Sequence, residues 1–306
     1  MNSYARTPDL RTLTVQQLCQ SSPIFEQFSQ YVLQNEDECA EALKKGFIAI
    51  DTNVLLNLYK YDEGVTNNWL QTLQHFGNRL WIPHHVLKEF WNARSGLVGS
   101  PDTKSSKGKI ESYAEEIRRE FEGWLETQAV ASKEEYAQLL DEVTRSAEKL
   151  TAILQESIDT HNKRFDHRVE EDEIVQALAL MTSKQSESSA NVCPSFTEQE
   201  LEEIYTEGKE RFEKEIPPGY KDDQAHNKNG KKDDKQYGDL VVWKEILRLA
   251  KNLNADSTES TYPYVVFVTG DLKDDWWERI KIDDVPEAKR FPRKELVQEM
   301  YTHTAS

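Results

Sequence analysis

Two aspartates, Asp51 and Asp271, lie at the ends of short apolar runs. Asp51 directly follows Phe47-Ile48-Ala49-Ile50, and Asp271 follows Tyr264-Val265-Val266-Phe267-Val268 after Thr269-Gly270. Runs of this length suit buried strands, and in a parallel sheet the carboxyl ends of the strands face one ligand-binding crevice. Two further acids have related settings. Glu89 lies one to two turns into the helix expected after Arg79-Leu80-Trp81-Ile82, amid Val86, Leu87 and Phe90, and Asp239 opens the apolar helix starting Leu240-Val241-Val242-Trp243. Four carboxylates at strand ends and helix starts make an acidic pocket that needs neutralising, and hard divalent cations with oxygen ligands do that. No His or Cys cluster competes for zinc. Each position also has a plainer use. An Asp after a strand commonly forms a turn, Asp51-Thr52-Asn53 reads equally as a capped corner, and Asp239 as a helix cap.

Bringing four acids to one crevice requires strand, corner and helix units. After the polar corner at Asp51, residues 54–59 resume with closely spaced apolar side chains, as a helix leaving a strand does. Trp69, Leu70, Leu73 and Phe76 step at helical spacing up to Gly77, and Pro83 suits the first turn of a helix over residues 84–94. Residues 264–268 are the clearest strand pattern in the chain. Further upstream, Ile24, Phe25, Phe28, Tyr31, Val32, Ala42 and Leu43 recur at helical spacing and are closed by Lys44-Lys45-Gly46.

Between these halves the α/β rhythm is interrupted. Residues 96–109 are rich in Gly, Ser, Lys and Pro and read as a loop or hinge. Ile110, Tyr113, Ile117, Phe121, Trp124 and Leu125 then step by three and four, as do Tyr136, Leu139, Leu140, Val143, Ala147, Leu150, Ile153 and Leu154. A short helix over residues 173–181, a polar break over 184–195 and a helix over 196–216 follow, ended by Pro217-Pro218-Gly219-Tyr220. Residues 221–236 are almost all Lys, Asp, Asn, Gln and Gly and read as an exposed loop. The organisation expected is a helical segment over 1–46, an α/β core from 47–95 and 217–300, and a helical insertion over 96–216. That insertion is expected to cap or project from the core without adding a strand to the sheet.

The chain has 306 residues and a formal net charge of -17, which favours solubility and argues against wholesale wrapping of nucleic acid by a basic surface. A small site with its own cations remains compatible with that charge. Cys19, Cys39 and Cys193 are far apart, suiting three ordinary buried thiols in a reducing compartment. The polar start lacks the apolar segment of a signal peptide, and no apolar run approaches a membrane span. A soluble, cytoplasmic protein with no membrane partner is expected.

Four segments, in order, carry a resemblance. They are Ile50-Asp51-Thr52-Asn53-Val54-Leu55-Leu56; Trp81-Ile82-Pro83 with Glu89-Phe90; Tyr237-Gly238-Asp239-Leu240 with Trp243-Lys244; and Phe267-Val268-Thr269-Gly270-Asp271, followed by Lys273, Asp275, Trp276 and Trp277. Together they resemble the larger bacterial PIN-like nucleases over roughly residues 40–95 and 215–295. The resemblance implies an α/β/α sandwich around a parallel sheet. It also implies hydrolysis of a phosphodiester, in RNA more often than DNA, with Mg²⁺ or Mn²⁺, two ions per site. The four family acids fall on Asp51, Glu89, Asp239 and Asp271. Many relatives carry a second acid where this chain has Gly270, so Asp275 or Asp274 is expected to complete the outer site. The stretch from Pro217 to Asp222 resembles a loop of the larger members and adds Asp222.

Around these ligands, Asn53 and Thr269 read as hydrogen-bonding groups that hold the carboxylates, or as turn residues. Lys273, Arg290 and Arg293 read as phosphate contacts, within a cationic stretch that includes Arg279, Lys281, Lys289 and Lys294; a solvated charged surface is the alternative. Trp276 and Trp277 could stack on a base or seal a sheet edge. His84 and His85 are set aside as general bases, because a metal mechanism needs neither.

The function expected is a metal-dependent endoribonuclease with a toxin or defence role. The alternatives are a DNA nuclease with the same chemistry and an idle PIN-like module that binds a partner. A haloacid dehalogenase-like phosphatase would want a second aspartate two positions after Asp51, where the chain has Asn53. A homodimer through the helical insertion and a regulatory protein partner are further expectations.

Overall fold

The computed structural model describes residues 36–98, 101–127, 132–162, 168–183, 189–221, 234–255, 264–281 and 289–304. By contact density the chain divides into two units. The first comprises Met1–Leu55, Thr72–Glu89 and Thr182–Ser306; the second comprises Leu56–Gln71 and Phe90–Met181.

The first unit is built on a sheet. Helix α1 (Glu36–Lys45) ends on two lysines in its last turn, where cations meet the exposed carbonyls. Its Cys39 is exposed and not buried as expected, whereas Cys193 is buried and Cys19 lies outside the described residues. The chain then enters β1 (Phe47–Ile50), in which Ile48, Ala49 and Ile50 are wholly buried, as the unbroken apolar run requires of a central strand. Helix α2 (Thr52–Asn57) follows one residue later. Helix α3 (Glu63–Phe76) and a single 3-10 turn lead to β2 (Leu80–Ile82), and Pro83 opens α4 (His84–Leu97).

All neighbouring strands of the four-stranded sheet are parallel, in the order β3-β2-β1-β4, where β4 is Val265–Val268 and β3 is Asn191–Val192. The α/β class with a parallel sheet amid helices is thus the fold observed. The pairing of β1 with β4 runs Phe47↔Val265 through Ile50↔Val268, so the residues after both strands emerge side by side. Strand β3 is a departure, because residues 184–195 read as a polar break and the insertion over 96–216 is expected to add no strand to the sheet, whereas Asn191–Val192 extends it. Two residues carry no periodicity, and pairing with β2 defines this edge strand. A second departure is at residues 101–109, which belong to helix α5 (Pro101–Thr127) and not to a loop. Proline fits the first helical turn, and Gly108 has open space around it.

Helix α9 (Gly238–Ala255) is largely buried from Gly238 to Ala250 through Leu240, Val241, Val242, Ile246, Leu247, Leu249 and Ala250. A helix apolar on several sides belongs in a core, and each buried Val, Leu or Ile side chain stabilises by roughly 1.5–3 kcal/mol. Helix α8 (Glu198–Glu213) begins with a reciprocal cap between Thr197 and Glu200 and packs on α9. Its Gly208 is buried against the Tyr237 ring. A Cβ there would lie 2.6 Å from Tyr237 Cδ1, and that ring cannot yield freely, being packed against Tyr205 and Phe212. Gly208→Ala should therefore destabilise the protein: an overpacking cost of about 1–3 kcal/mol exceeds a helix-propensity gain of about 1 kcal/mol. A thermal melt that rises instead would contradict this reading. The unit closes with an antiparallel hairpin, β5 (Trp277–Ile280) and β6 (Lys289–Pro292), and α10 (Lys294–Thr304).

The second unit contains no sheet strand among its described residues. Helices α5 and α6 (Lys133–Asn162) pack along each other and leave Tyr113, Ile117, Trp124 and Ile153 exposed. Its buried anchor is Asp172. One carboxylate oxygen accepts from Tyr59 Oη at 2.7 Å and from Arg94 at 2.6 and 2.8 Å; the other caps α7 (Glu173–Met181) through the Ile174 and Val175 amides. Among the described residues no helix is long and apolar enough to cross a membrane.

Candidate active site

Strand register decides what lies beside Asp51. Because β1 and β4 end together, Asp51 N donates to Val268 O at 3.0 Å and the corner after β1 meets the loop after β4. Thr269 Oγ1 donates to Asp51 Oδ2 at 2.6 Å and accepts from the Asp271 amide at 2.9 Å, so one hydroxyl links the two aspartates. Asn53 reinforces the joint: its amide nitrogen donates to Asp51 Oδ2 and its oxygen accepts from Gly270 N at 2.7 Å. Asp51 is 9% exposed. Burial pushes its carboxyl above the ordinary aspartate range; the bonds from Thr269 and Thr52 oppose this, and the neighbouring charges of Glu89 and Asp271 add to it.

Glu89 reaches the same corner from α4. Thr52 donates its backbone N–H to Asp51 Oδ1 and its hydroxyl to Glu89 Oε2, both at 2.6 Å, and so bridges the two carboxylates. Burial alone would raise Glu89; the His85 contact, the Thr52 hydroxyl and the charge of Lys273 outweigh it and hold the carboxyl below its usual value. His85 Nε2 stands 3.5 Å from Glu89 Oε1. The start of α4 is in turn held by Glu245, whose Oε2 accepts from the His85 amide at 3.1 Å. Glu245 is 1% exposed, and burial pushes its carboxyl up to about 7.

Asp239 enters from the first turn of α9. The adjacent Gly238 is crowded by Glu89, since a Cβ there would lie 2.7 Å from Glu89 Oε1. Trp276 Nε1 donates to Asp239 Oδ2 at 3.2 Å. The ammonium of Lys273 lies 2.9 Å from Asp271 Oδ2 and 3.5 Å from Asp239 Oδ2, joining the last two acids. The four carboxylates thus form a chain of contacts, Glu89 to Asp51 through Thr52, Asp51 to Asp271 through Thr269, and Asp271 to Asp239 through Lys273.

The family model described as a PIN-like domain, PIN_8, matches residues 47–296, which is most of the chain and holds all four acids. The chain belongs to the PIN_8 family of PIN-like domains. Comparisons with curated proteins and with solved structures give no match.

In this PIN-like domain the donor set is oxygen-only, the chemistry that suits Mg²⁺ or Mn²⁺. A cation already stands against two of the acids in the form of the Lys273 ammonium. Among the described residues, no three His, Cys, Asp or Glu side chains are grouped as ligands of one ion.

The remaining site residues read from the sequence have different settings. Asp275 is wholly buried, and its Oδ2 accepts the Gly219 and Lys221 amides at 3.1 Å, holding the loop that follows Pro217-Pro218. Trp276 packs on Trp243 and Phe267, and Trp277 Nε1 donates to Asp271 O at 2.6 Å, so both indoles brace the site loop. Arg293 forms a bidentate pair with Glu295 at 2.9 and 3.1 Å. Arg290 is exposed on β6 and sits directly opposite Arg279 on β5. Asp222 lies outside the described residues. Sequence reading passed over Thr52, Glu245 and the contact of His85 with Glu89. Thr52 was legible only as the middle of Asp-Thr-Asn; the other two depend on how α4 and α9 pack.

Proposed function

We propose that this PIN-like domain is a metal-dependent nuclease, acting on RNA in preference to DNA, with a toxin or defence role. The observation that carries the reading is the linked set Asp51, Glu89, Asp239 and Asp271 at the carboxyl ends of a parallel sheet. In this reading those four residues hold Mg²⁺ or Mn²⁺. Bound there, such ions would supply an activated water and neutralise charge on the phosphate. The chain's own contribution is positional. Asn53, Thr52 and Thr269 fix the carboxylate planes, Trp276 steadies Asp239, and Glu245 sets the axis of the helix bearing Glu89.

The hairpin supports a nucleic-acid substrate. Arg279 and Arg290 lie opposite each other across an antiparallel pair, with Arg279 also 3.4 Å from Asp274 Oδ1, and two neighbouring guanidinium groups suit contact with a phosphate. The second reading is an idle module that binds a partner, favoured by the Lys273 ammonium seated against Asp239 and Asp271. Labelled RNA and DNA incubated side by side with Mn²⁺ and with EDTA separate the two. Cleavage that needs Mn²⁺ supports the nuclease, and intact strands under every condition favour the module.

A further inference from the structure

We propose that Lys273 is the internal counter-ion of the acid cluster, and that a divalent cation binds by displacing its ammonium from between Asp239 and Asp271. The inference rests on the metal-nuclease reading and adds a regulatory feature to it. The site is stable without metal only if something offsets four clustered carboxylates, and the Lys273 ammonium is the cation in contact with two of them.

The local backbone aims it there. The Lys273 amide donates to Asp271 Oδ1 at 2.8 Å, a tight turn that folds the side chain back so that its ammonium meets the other oxygen of the same carboxylate. The stem is long and flexible, and the side chain is 37% exposed, so the ammonium can leave for solvent without disturbing the core. When it leaves, Asp239 Oδ2 keeps the Trp276 indole and Asp271 keeps the Lys273 amide, so both carboxylates stay oriented. A lysine is suited to this reversible role because its ammonium is a point charge, whereas an arginine fork would grip a carboxylate bidentately.

The consequence is competition: metal affinity includes the cost of breaking two lysine contacts. Titration with Mn²⁺ alone, followed by the electron paramagnetic resonance signal of the free ion, measures it directly. Lys273→Met keeps the length and removes the charge. It should bind Mn²⁺ roughly tenfold or more tightly than the native protein, given charges at contact distance in a partly buried site. It should also melt at a lower temperature than the native protein in EDTA and gain more on adding Mn²⁺. Lys273→Arg, which restores the charge, should bring the affinity back to or below the native value. Equal or weaker Mn²⁺ binding by Lys273→Met overturns the inference and leaves the metal-nuclease reading intact. If the native protein, Lys273→Met and Asp51→Asn all bind no Mn²⁺, the metal reading itself falls, and the inference with it.

Discussion

On the proposed nuclease reading, Asp51→Asn should lower Mn²⁺-dependent cleavage by about 10²-fold or more, since one lost ligand would remove several kcal/mol of charge stabilisation at the phosphate. The fold should survive. The buried carboxylate faces like charges from Glu89 and Asp271, and its raised pKa means that ionising it opposes folding. The sign follows from that direction: the native Asp51 loses stability as the pH climbs above the unfolded aspartate value, whereas the amide carries no such penalty. In EDTA near neutral pH, Asp51→Asn should melt no lower than the native protein. With Mn²⁺ the same reading expects the order to reverse, because only the native chain would offer all four proposed ligands. Paired melting and cleavage assays, each run with EDTA and with Mn²⁺, read both effects. A variant that cleaves at the native rate removes Asp51 from the mechanism, and one that fails to fold removes the strain argument.

Glu299→Ala should cause a large stability loss, about 3 kcal/mol, because it removes the bidentate partner of the buried Arg211 and leaves that guanidinium only Glu207 and the Pro217 carbonyl. Arg211 grips Glu299 through two bonds of 2.8 and 2.9 Å, and its guanidinium also donates to Pro217 O. Trp243 Nε1 donates to Glu299 Oε2 at 2.9 Å, and Lys244 lies 3.2 Å from Oε1. One carboxylate on α10 therefore ties together α8, α9 and the loop that packs over Asp239. Burial works to raise Glu299, but the bond and charge of Arg211, with Trp243 and Lys244, prevail and pull the carboxyl down to about 2. A depressed carboxylate contributes stability that is full above its unfolded pKa and disappears as the pH falls through the folded value. The difference between native protein and Glu299→Gln should therefore be constant from neutral pH down to roughly pH 4.5 and shrink towards pH 2. Denaturant titrations at pH 7, 4 and 3 follow it. A gap that does not narrow under acid would mean that the pairing contributes little.

These two positions show different degrees of legibility in the sequence. Asp51 stands out because an apolar run stops at it. Strand, corner and helix are local events, written in four to six consecutive residues, and the same logic exposed Asp271, the helix of Glu89 and the start of α9. Family membership over residues 47–296 accords with that order of segments. Glu299 had no such marker. It is one acid among many on an amphipathic helix, and only packing against α8 and α9 makes it a buried hub.

What the sequence by itself determined, then, is the set of elements and the acids at their ends, because periodicity reports which face of each element is buried. The short edge strand Asn191–Val192 escaped, since two residues have no period, and so did the helical character of residues 101–109. Tertiary structure alone decided the partners. The alignment of Ile50 with Val268 places Thr269 on Asp51, and the close approach at Gly238 sets Glu89 beside α9. The turn at Asp271 returns the Lys273 ammonium to the acids instead of to solvent. Such contacts join residues up to 218 positions apart. Strand register and helix packing govern them, and both arise from the shape of the whole buried core.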